Sequence, residues 1–147
     1  MKKTAILTLF LGLFATCCFA QEERKAFSGY IYNDEFETYL RINFYDQDVT
    51  IPGQDLYGEL PGYLGKKNNS FCWVITSCEV VNDKKATLQL INDFGSEDLR
   101  ATLTRKNDSI YTLRQNEGNP IKVPFKGKWQ KLPKVLEFKK QVARSKK

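Results

Sequence analysis

Histidine, the side chain that most often carries proton transfer near neutral pH, does not occur in this chain of 147 residues. Its absence excludes enzymes in which histidine activates a serine or cysteine nucleophile, and it excludes every zinc site that uses an imidazole ligand. The G-x-S-x-G motif and the glycine-rich phosphate loop are also missing. The side chains left for chemistry are carboxylates, cysteines and aromatic rings.

Carboxylates gather in three short segments, each at the end of a predicted strand. A glycosidase needs two carboxyl groups about 5 to 9 Å apart in a cleft, and Ca²⁺ needs oxygen ligands in a suitable loop. No twelve-residue calcium loop is present, so we expect no metal. Because histidine is absent and no catalytic motif accompanies the carboxylates, we also expect no enzyme and no cofactor. A carboxylate-based glycan-active enzyme stays the alternative. The three segments are Asp34, Glu35 and Glu37; Asp46 and Asp48; Glu97 and Asp98.

Aromatic residues are concentrated in one part of the chain, with eleven of them between Phe27 and Trp73. Tyrosine and tryptophan offer a rigid surface with a polar handle, which suits a sugar face, an apolar ligand or a partner protein. A packed core of a β-rich domain is the competing interpretation. Trp129 is expected to plug one end of the fold. The predicted ligand-binding residues are Tyr30, Tyr32, Tyr39, Tyr45 and Trp73.

The amino terminus has the pattern of a secretory signal peptide. Lys2 and Lys3 precede an apolar run, and Ala20 ends the segment. We expect a helical signal peptide over residues 1–20, cleavage after Ala20, and export to the periplasm or the extracellular space. Lipid anchoring at Cys17 or Cys18 is the alternative.

The remaining 127 residues are predicted to form one domain over residues 21–140, followed by a basic, disordered tail over residues 141–147. The net charge of the whole chain is +6, and the loss of Lys2 and Lys3 leaves +4. A basic tail is compatible with binding to nucleic acid or anionic lipid, but we expect a solvated terminus and no nucleic-acid partner. No later stretch is apolar enough to span a membrane, and the mature chain is expected to be monomeric.

Cys72 and Cys78 are the cysteines of the mature chain, and both fall in one predicted strand over residues 71–81. Six steps along a strand separate two residues by about 20 Å, whereas a disulfide needs Cα atoms within about 7 Å. We therefore expect two free thiols. The even number in an exported chain leaves a bridge open as the alternative, in which case the strand is broken.

Short runs of alternating polar and apolar residues, separated by turn residues, fill the mature region. In residues 39–45, for example, Leu40, Ile42 and Phe44 share one face. Residues 56–64 are weaker because Pro61 cannot donate to a ladder, and we expect an edge, a bulge or an irregular loop there. The pattern predicts an all-β fold, a single antiparallel and mostly up-and-down barrel of about eight to ten strands. A β-sandwich is the second choice.

Four segments form a recognisable pattern: Phe19-Ala20-Gln21, Phe27-Ser28-Gly29-Tyr30, Lys128-Trp129 and Leu136-Glu137-Phe138-Lys139. Together with the successive hairpins, they resemble small exported bacterial proteins of the lipocalin-like (calycin) kind. Lipocalins carry Gly-x-Trp in the first strand, whereas this chain has Gly29-Tyr30-Ile31 and lacks that tryptophan. The resemblance implies a β-barrel that binds rather than catalyses, and it transfers no specific site residues.

Two functions follow from these observations. The first is an exported, non-enzymatic binding protein that holds a small apolar or carbohydrate ligand in or at the mouth of an aromatic-rich barrel. The alternative is an envelope protein-interaction module of the inhibitor or immunity type with a filled core. A cavity of about 300 Å³ or more favours the first function, and a filled core with surface tyrosines favours the second.

Overall fold

The computed structural model describes residues 25–141. The predicted signal peptide over residues 1–20, the alternative anchors Cys17 and Cys18, and residues 142–147 of the predicted basic tail lie outside the described residues. Within the described part, no helix is long and apolar enough to cross a membrane.

Ten β-strands make up the described chain, and eight of them close into an antiparallel barrel. The order around the barrel is β1-β10-β7-β6-β5-β4-β3-β2, and β8 and β9 form a separate two-stranded sheet. The predicted all-β, up-and-down barrel is confirmed. The strands are β1 (Ser28–Asn33), β2 (Thr38–Asn43), β3 (Gly62–Lys66), β4 (Asn69–Asn82), β5 (Lys85–Asn92), β6 (Asp98–Arg105), β7 (Ile110–Gly118), β8 (Lys122–Phe125), β9 (Lys128–Lys131) and β10 (Val135–Lys140).

Alternation along the strands decides which side chains face the interior. In β2, Leu40 and Ile42 are buried, and Phe44 continues the same face beyond the strand. In β6, Leu99, Ala101 and Leu103 are buried in the same way. Inward side chains from all eight barrel strands join one hydrophobic cluster. The lumen is therefore a packed core, because a barrel of eight strands is just wide enough for side chains to fill it.

The chain between β2 and β4 departs from the prediction. We expected an edge, a bulge or an irregular loop over residues 56–64, but β3 is a full barrel strand that pairs with both neighbours. Pro61 lies just before β3, where its missing N–H removes no ladder bond, and its carbonyl accepts a hydrogen bond from the Asn43 N–H at 2.9 Å. The expected irregularity is confined to the segment before β3, which has a short 3-10 turn (Asp55–Tyr57) and an isolated bridge between Val49 and Leu60, and to a register shift between Gly65 and Lys66 in the pairing of β3 with β4.

The β8–β9 hairpin lies across the barrel end where β7 stops and β10 starts. Lys126 and Gly127 form its turn with φ of 49° and 75°, the two positive values of a tight type I′ hairpin. The expectation that Trp129 plugs this end is wrong, because its side chain is 55% exposed. Side chains from the hairpin and its two flanks fill the end instead. They are Ile121, Val123 and Leu132.

Candidate functional site

Three aromatic rings from separate elements meet beside the hairpin at this barrel end. Phe71 of β4 lies in the middle, with its centroid 5.0 Å from the Trp129 ring at an interplanar angle of 68°. Its centroid is 6.3 Å from the Phe94 ring on the other side, at 44°. Together with Trp73 they line a solvent-open pocket of about 270 Å³. We call this the mouth pocket.

The turn between β5 and β6 holds Phe94 in the open. The Asn92 side-chain oxygen accepts hydrogen bonds from the N–H groups of Ser96 and Glu97 at 2.9 and 3.2 Å, and its amide donates to the Ser96 hydroxyl at 3.1 Å. Gly95 takes the left-handed conformation with φ of 70°, which glycine adopts without strain. The turn leaves Phe94 74% exposed, although apolar surface of that size favours burial.

The hairpin wall of the pocket is fixed by two hydrogen-bonded side chains from the barrel. The Trp73 indole N–H donates to the Lys122 carbonyl at 3.1 Å. The Gln115 side chain accepts from the Ile121 N–H at 2.9 Å and donates to the Pro133 carbonyl at 2.9 Å. Both side chains are buried, so their polar groups are satisfied and hold the two ends of the hairpin segment to the barrel wall.

Charges of both signs border the aromatic rings. Glu97 from the β5–β6 turn and Lys122 from β8 both line the mouth pocket. The ion pairs within 4.0 Å among residues 25–141 involve neither of them. The pocket therefore offers an apolar surface with one unpaired negative and one unpaired positive side chain.

A second aromatic surface lies on the outer wall of the barrel. Tyr30 stacks on Tyr39 with centroids 5.2 Å apart and on Tyr32 at 6.5 Å, and Tyr39 meets Tyr63 edge-on at 5.9 Å. We call these four residues the tyrosine face. Tyr30, Tyr32 and Tyr39 border an open groove of about 1020 Å³.

Burial raises the pKa of two residues of the tyrosine face, Tyr39 and Tyr30. It raises the pKa of Tyr39 to about 12, with a further contribution from the neighbouring Tyr63 side chain. Burial also raises the pKa of Tyr30, and the negative charge that Tyr63 would carry adds to the rise. These phenols stay neutral at physiological pH. They can therefore exchange hydrogen bonds with a ligand, but they are poor general bases.

The predicted ligand-binding residues divide into three groups in space. Tyr30, Tyr32 and Tyr39 come together on the tyrosine face. Tyr45 lies apart from them, and its hydroxyl accepts the Phe27 N–H at 3.2 Å. Trp73 points into the core and is only 1% exposed; it can act only as the floor of the mouth pocket, because the inward register of β4 buries it.

Phe71, Phe94 and Trp129 were missed as site residues. The sequence carried one signal for two of them, an aromatic side chain among turn-forming or charged neighbours where burial is not expected. Phe94 lies in Asp93-Phe94-Gly95-Ser96 and Trp129 in Lys128-Trp129-Gln130-Lys131. Both rings meet Phe71 because the barrel closes, so no pattern within a short stretch of sequence could predict this contact.

Cys72 and Cys78 are free thiols on the single strand β4. A bulge between Ile75 and Ser77 shifts the register, so that Cys72 packs in a cluster on the outer wall while Cys78 packs against the barrel core. Burial raises the pKa of Cys72 to about 11 and also raises that of Cys78. A thiol with a raised pKa is a weak nucleophile at neutral pH.

The carboxylates do not assemble into a metal centre within residues 25–141, where no three His, Cys, Asp or Glu side chains converge. Asp46 instead lies 3.6 Å from the Lys25 ammonium, and Glu37 lies 3.8 Å from that of Lys66. The first pair joins two exposed side chains and is an ordinary surface contact, whereas the second involves the buried ammonium of Lys66.

Comparisons with models of known families, with curated proteins and with solved structures found no match for this chain.

Proposed function

We propose that this protein is an exported, non-enzymatic, lipocalin-like binding protein that holds a small ligand with an apolar or carbohydrate face in the mouth pocket. The observation that carries the proposal is the convergence of Phe71, Phe94 and Trp129 on one pocket. Two of these rings are largely exposed, and rigid aromatic surface of this kind is typical of recognition sites.

The mouth, rather than the lumen, is the place for a ligand because the lumen is filled. The inward side chains Leu40, Leu64, Leu90 and Leu103 are completely buried in one continuous cluster. The mouth pocket, at about 270 Å³, lies just below the usual range of small-molecule sites, which begins at about 300 Å³. A ligand of one ring or one compact headgroup matches that volume.

Tryptophan fluorescence tests this proposal with unusual selectivity. The chain has only two tryptophans, Trp73 and Trp129, and both line the mouth pocket. A ligand from a panel of glycans, fatty acids and small amphiphiles should therefore change the emission. Calorimetry should give an affinity that falls at least tenfold in Trp129→Ala. The matched control is Val81→Ala, another exposed apolar residue at the opposite end of β4, and it should bind normally.

Two results would reject the mouth pocket as the binding site. One is an emission spectrum that no member of the panel changes. The other is a ligand whose affinity is the same in the wild-type protein and in Trp129→Ala.

A protein-interaction module is the second candidate function, and it is favoured by the combination expected of such a module, a filled core with tyrosines on the surface. Stacked tyrosines on an outer wall, above a filled core, match the composition of interface hot spots. A partner recovered from an envelope extract should be lost with Tyr30→Ala and retained with Trp129→Ala. The opposite pattern would assign the partner to the mouth pocket.

A further inference from the structure

We infer that the ligand of the mouth pocket is a zwitterion in which a quaternary ammonium group is joined to a phosphate, as in phosphocholine. The inference rests on the proposed function and narrows it to one chemical class. Its basis is the combination of three aromatic rings with two unpaired charges of opposite sign, Glu97 and Lys122.

The rings are suited to the ammonium end. Phe94 and Trp129 flank Phe71 at interplanar angles of 44° and 68°, so they form angled walls instead of one flat platform. A trimethylammonium group presents methyl groups, and therefore apolar surface, to every wall, while its charge interacts with the aromatic quadrupoles. A neutral hydrocarbon gains binding free energy only from the burial of its apolar surface and lacks the cation–π contribution. Glu97 adds a negative charge to the same pocket.

The hairpin is suited to the phosphate end. Lys122 is exposed and has no ion-pair partner within the described chain. The sequence between Glu117 and Glu137 contains five lysines and no acid, and Lys122 is the one of the five that lines the mouth pocket. The five are Lys122, Lys126, Lys128, Lys131 and Lys134.

The two charges therefore select an orientation as well as a ligand. The ammonium points toward Glu97 and Phe94, and the phosphate points toward Lys122. A simple cation leaves Lys122 unmatched, a simple anion makes no use of the rings, and a neutral sugar leaves both charges unmatched. Only a zwitterion whose cationic end also carries apolar surface matches every feature of the pocket.

Calorimetry and tryptophan fluorescence on the full chain test the inference with four soluble probes: phosphocholine, choline, phosphoethanolamine and inorganic phosphate. We expect phosphocholine to bind at least tenfold more tightly than each of the other three. Phosphoethanolamine is the sharpest comparison, since it keeps the charges and lacks the methyl groups. Equal binding of phosphocholine and phosphoethanolamine would remove the role of the rings and overturn the inference.

Variants separate the contributions of the two ends. Trp129→Phe should keep most of the phosphocholine affinity, whereas Trp129→Ala should lose at least tenfold. Glu97→Gln should lower the affinities for phosphocholine and choline by similar factors. Lys122→Gln should lower the affinity for phosphocholine more than that for choline, so that the ratio of the two affinities decreases. Lys134→Gln removes the same charge from the same basic segment outside the pocket and serves as the control, with unchanged affinity expected. An effect of Lys134→Gln equal to that of Lys122→Gln would reduce the site to net charge and overturn the inference.

Vesicles distinguish the source of the headgroup. Sedimentation with phosphatidylcholine vesicles, reversed by free phosphocholine, would identify a lipid surface, whereas binding of only the free compound would identify a soluble or polymer-linked ester. Preferential binding to phosphatidylglycerol vesicles would contradict the inference, because that headgroup has no cation. A neutral glycan or a hydrocarbon that binds in a Trp129-dependent way, with no response to phosphocholine, would overturn the inference and leave the proposed function standing. No response to any of these probes or to the wider panel would reject both.

Discussion

The indole N–H of Trp73 donates a hydrogen bond to the Lys122 carbonyl at 3.1 Å, across 49 positions of sequence. This bond joins a barrel strand to the hairpin that lies over the barrel end, and both residues line the mouth pocket. The stability of the barrel end and the shape of the pocket therefore depend on the same contact.

Replacing Trp73 by phenylalanine should loosen the hairpin. The substitution removes the donor, leaves the Lys122 carbonyl unpaired and opens space in a fully buried position. We expect a loss of about 1–3 kcal/mol in the free energy of unfolding, measured by urea denaturation. Trp129→Phe, at an exposed ring, should stay within about 0.5 kcal/mol. Equal effects of the two variants would show that the bond to Lys122 contributes nothing measurable.

Replacing Gly65 by alanine should disturb the tyrosine face. A Cβ at Gly65 would overlap the ring of Tyr39, so the ring must move off the outer wall. We expect a destabilisation of about 1–3 kcal/mol and a weaker near-ultraviolet dichroism of the tyrosines. The double variant Gly65→Ala, Tyr39→Ala is the check, because it removes the overlap. It should be destabilised by less than the sum of the two single changes, and strict additivity would exclude the ring as the cause.

Replacing Lys66 by methionine should destabilise the barrel end. The Lys66 side chain is only 7% exposed, and its ammonium donates to the Phe36 carbonyl at 2.7 Å. Methionine preserves much of the packing and leaves that carbonyl without its partner, which costs about 1–3 kcal/mol. The neighbouring Lys67 is exposed, so Lys67→Met should change stability by less than about 0.5 kcal/mol. A thermal melt of both variants provides the comparison.

Tyr39 should contribute to stability in a way that is lost in alkali. Tyr39 has a folded-state pKa of about 12, above the value of about 10 of an unfolded chain. The native state thus holds the phenol proton more tightly, and its contribution is complete below pH 10 and disappears as the pH rises through 12. Tyr39→Phe should lose less stability than the wild-type protein between pH 10 and 12.

Absorbance near 295 nm should report the same ionisation directly. Subtracting the titration curve of Tyr39→Phe from that of the wild-type protein isolates the ionisation of Tyr39. The midpoint of this difference curve should lie near pH 12 in the native state and near pH 10 in denaturant. A native difference curve centred at 10 would contradict the raised pKa.

The two thiols should be protected in the native chain. Burial raises the pKa of Cys72 to about 11 and also that of Cys78, so little thiolate is present at pH 8. The experiment uses the chain from residue 21 onward, without reductant. Iodoacetamide should label Cys72 and Cys78 slowly in the native state and should label both cysteines fully after unfolding. Mass spectrometry that finds no label after unfolding would instead mean a disulfide and a broken β4.

Local alternation was enough to predict the class of fold and the direction of individual side chains. Leu40, Ile42 and Phe44 face inward as expected, and so do Leu99, Ala101 and Leu103. The alternation of buried and exposed side chains is a property of each strand by itself, so a short stretch of sequence is enough to predict it. The prediction for residues 56–64 missed the strand β3. It treated Pro61 as part of that strand, whereas Pro61 lies just before it.

The candidate site was far less predictable. Tyr30, Tyr32 and Tyr39 share the tyrosine face because β1 and β2 form a local hairpin, in which Tyr32 pairs with Tyr39. The sequence predicted that Trp129 plugs a barrel end because it lies just before the last strand. The hairpin turn at Lys126 and Gly127 instead sets the register of β8 and β9, which leaves the indole exposed.

The amino-acid sequence by itself determined that the chain forms a β-barrel, since its alternating polarity leaves one face of every strand in need of burial and its turns make neighbours antiparallel. Only the tertiary structure decided that the lumen is solid, that β8 and β9 leave the barrel sheet, and that Phe71, Phe94 and Trp129 share one pocket. Those outcomes depend on how side chains from distant strands fill a common volume and on where the barrel closes. Both are properties of the whole assembly of strands and of no single segment.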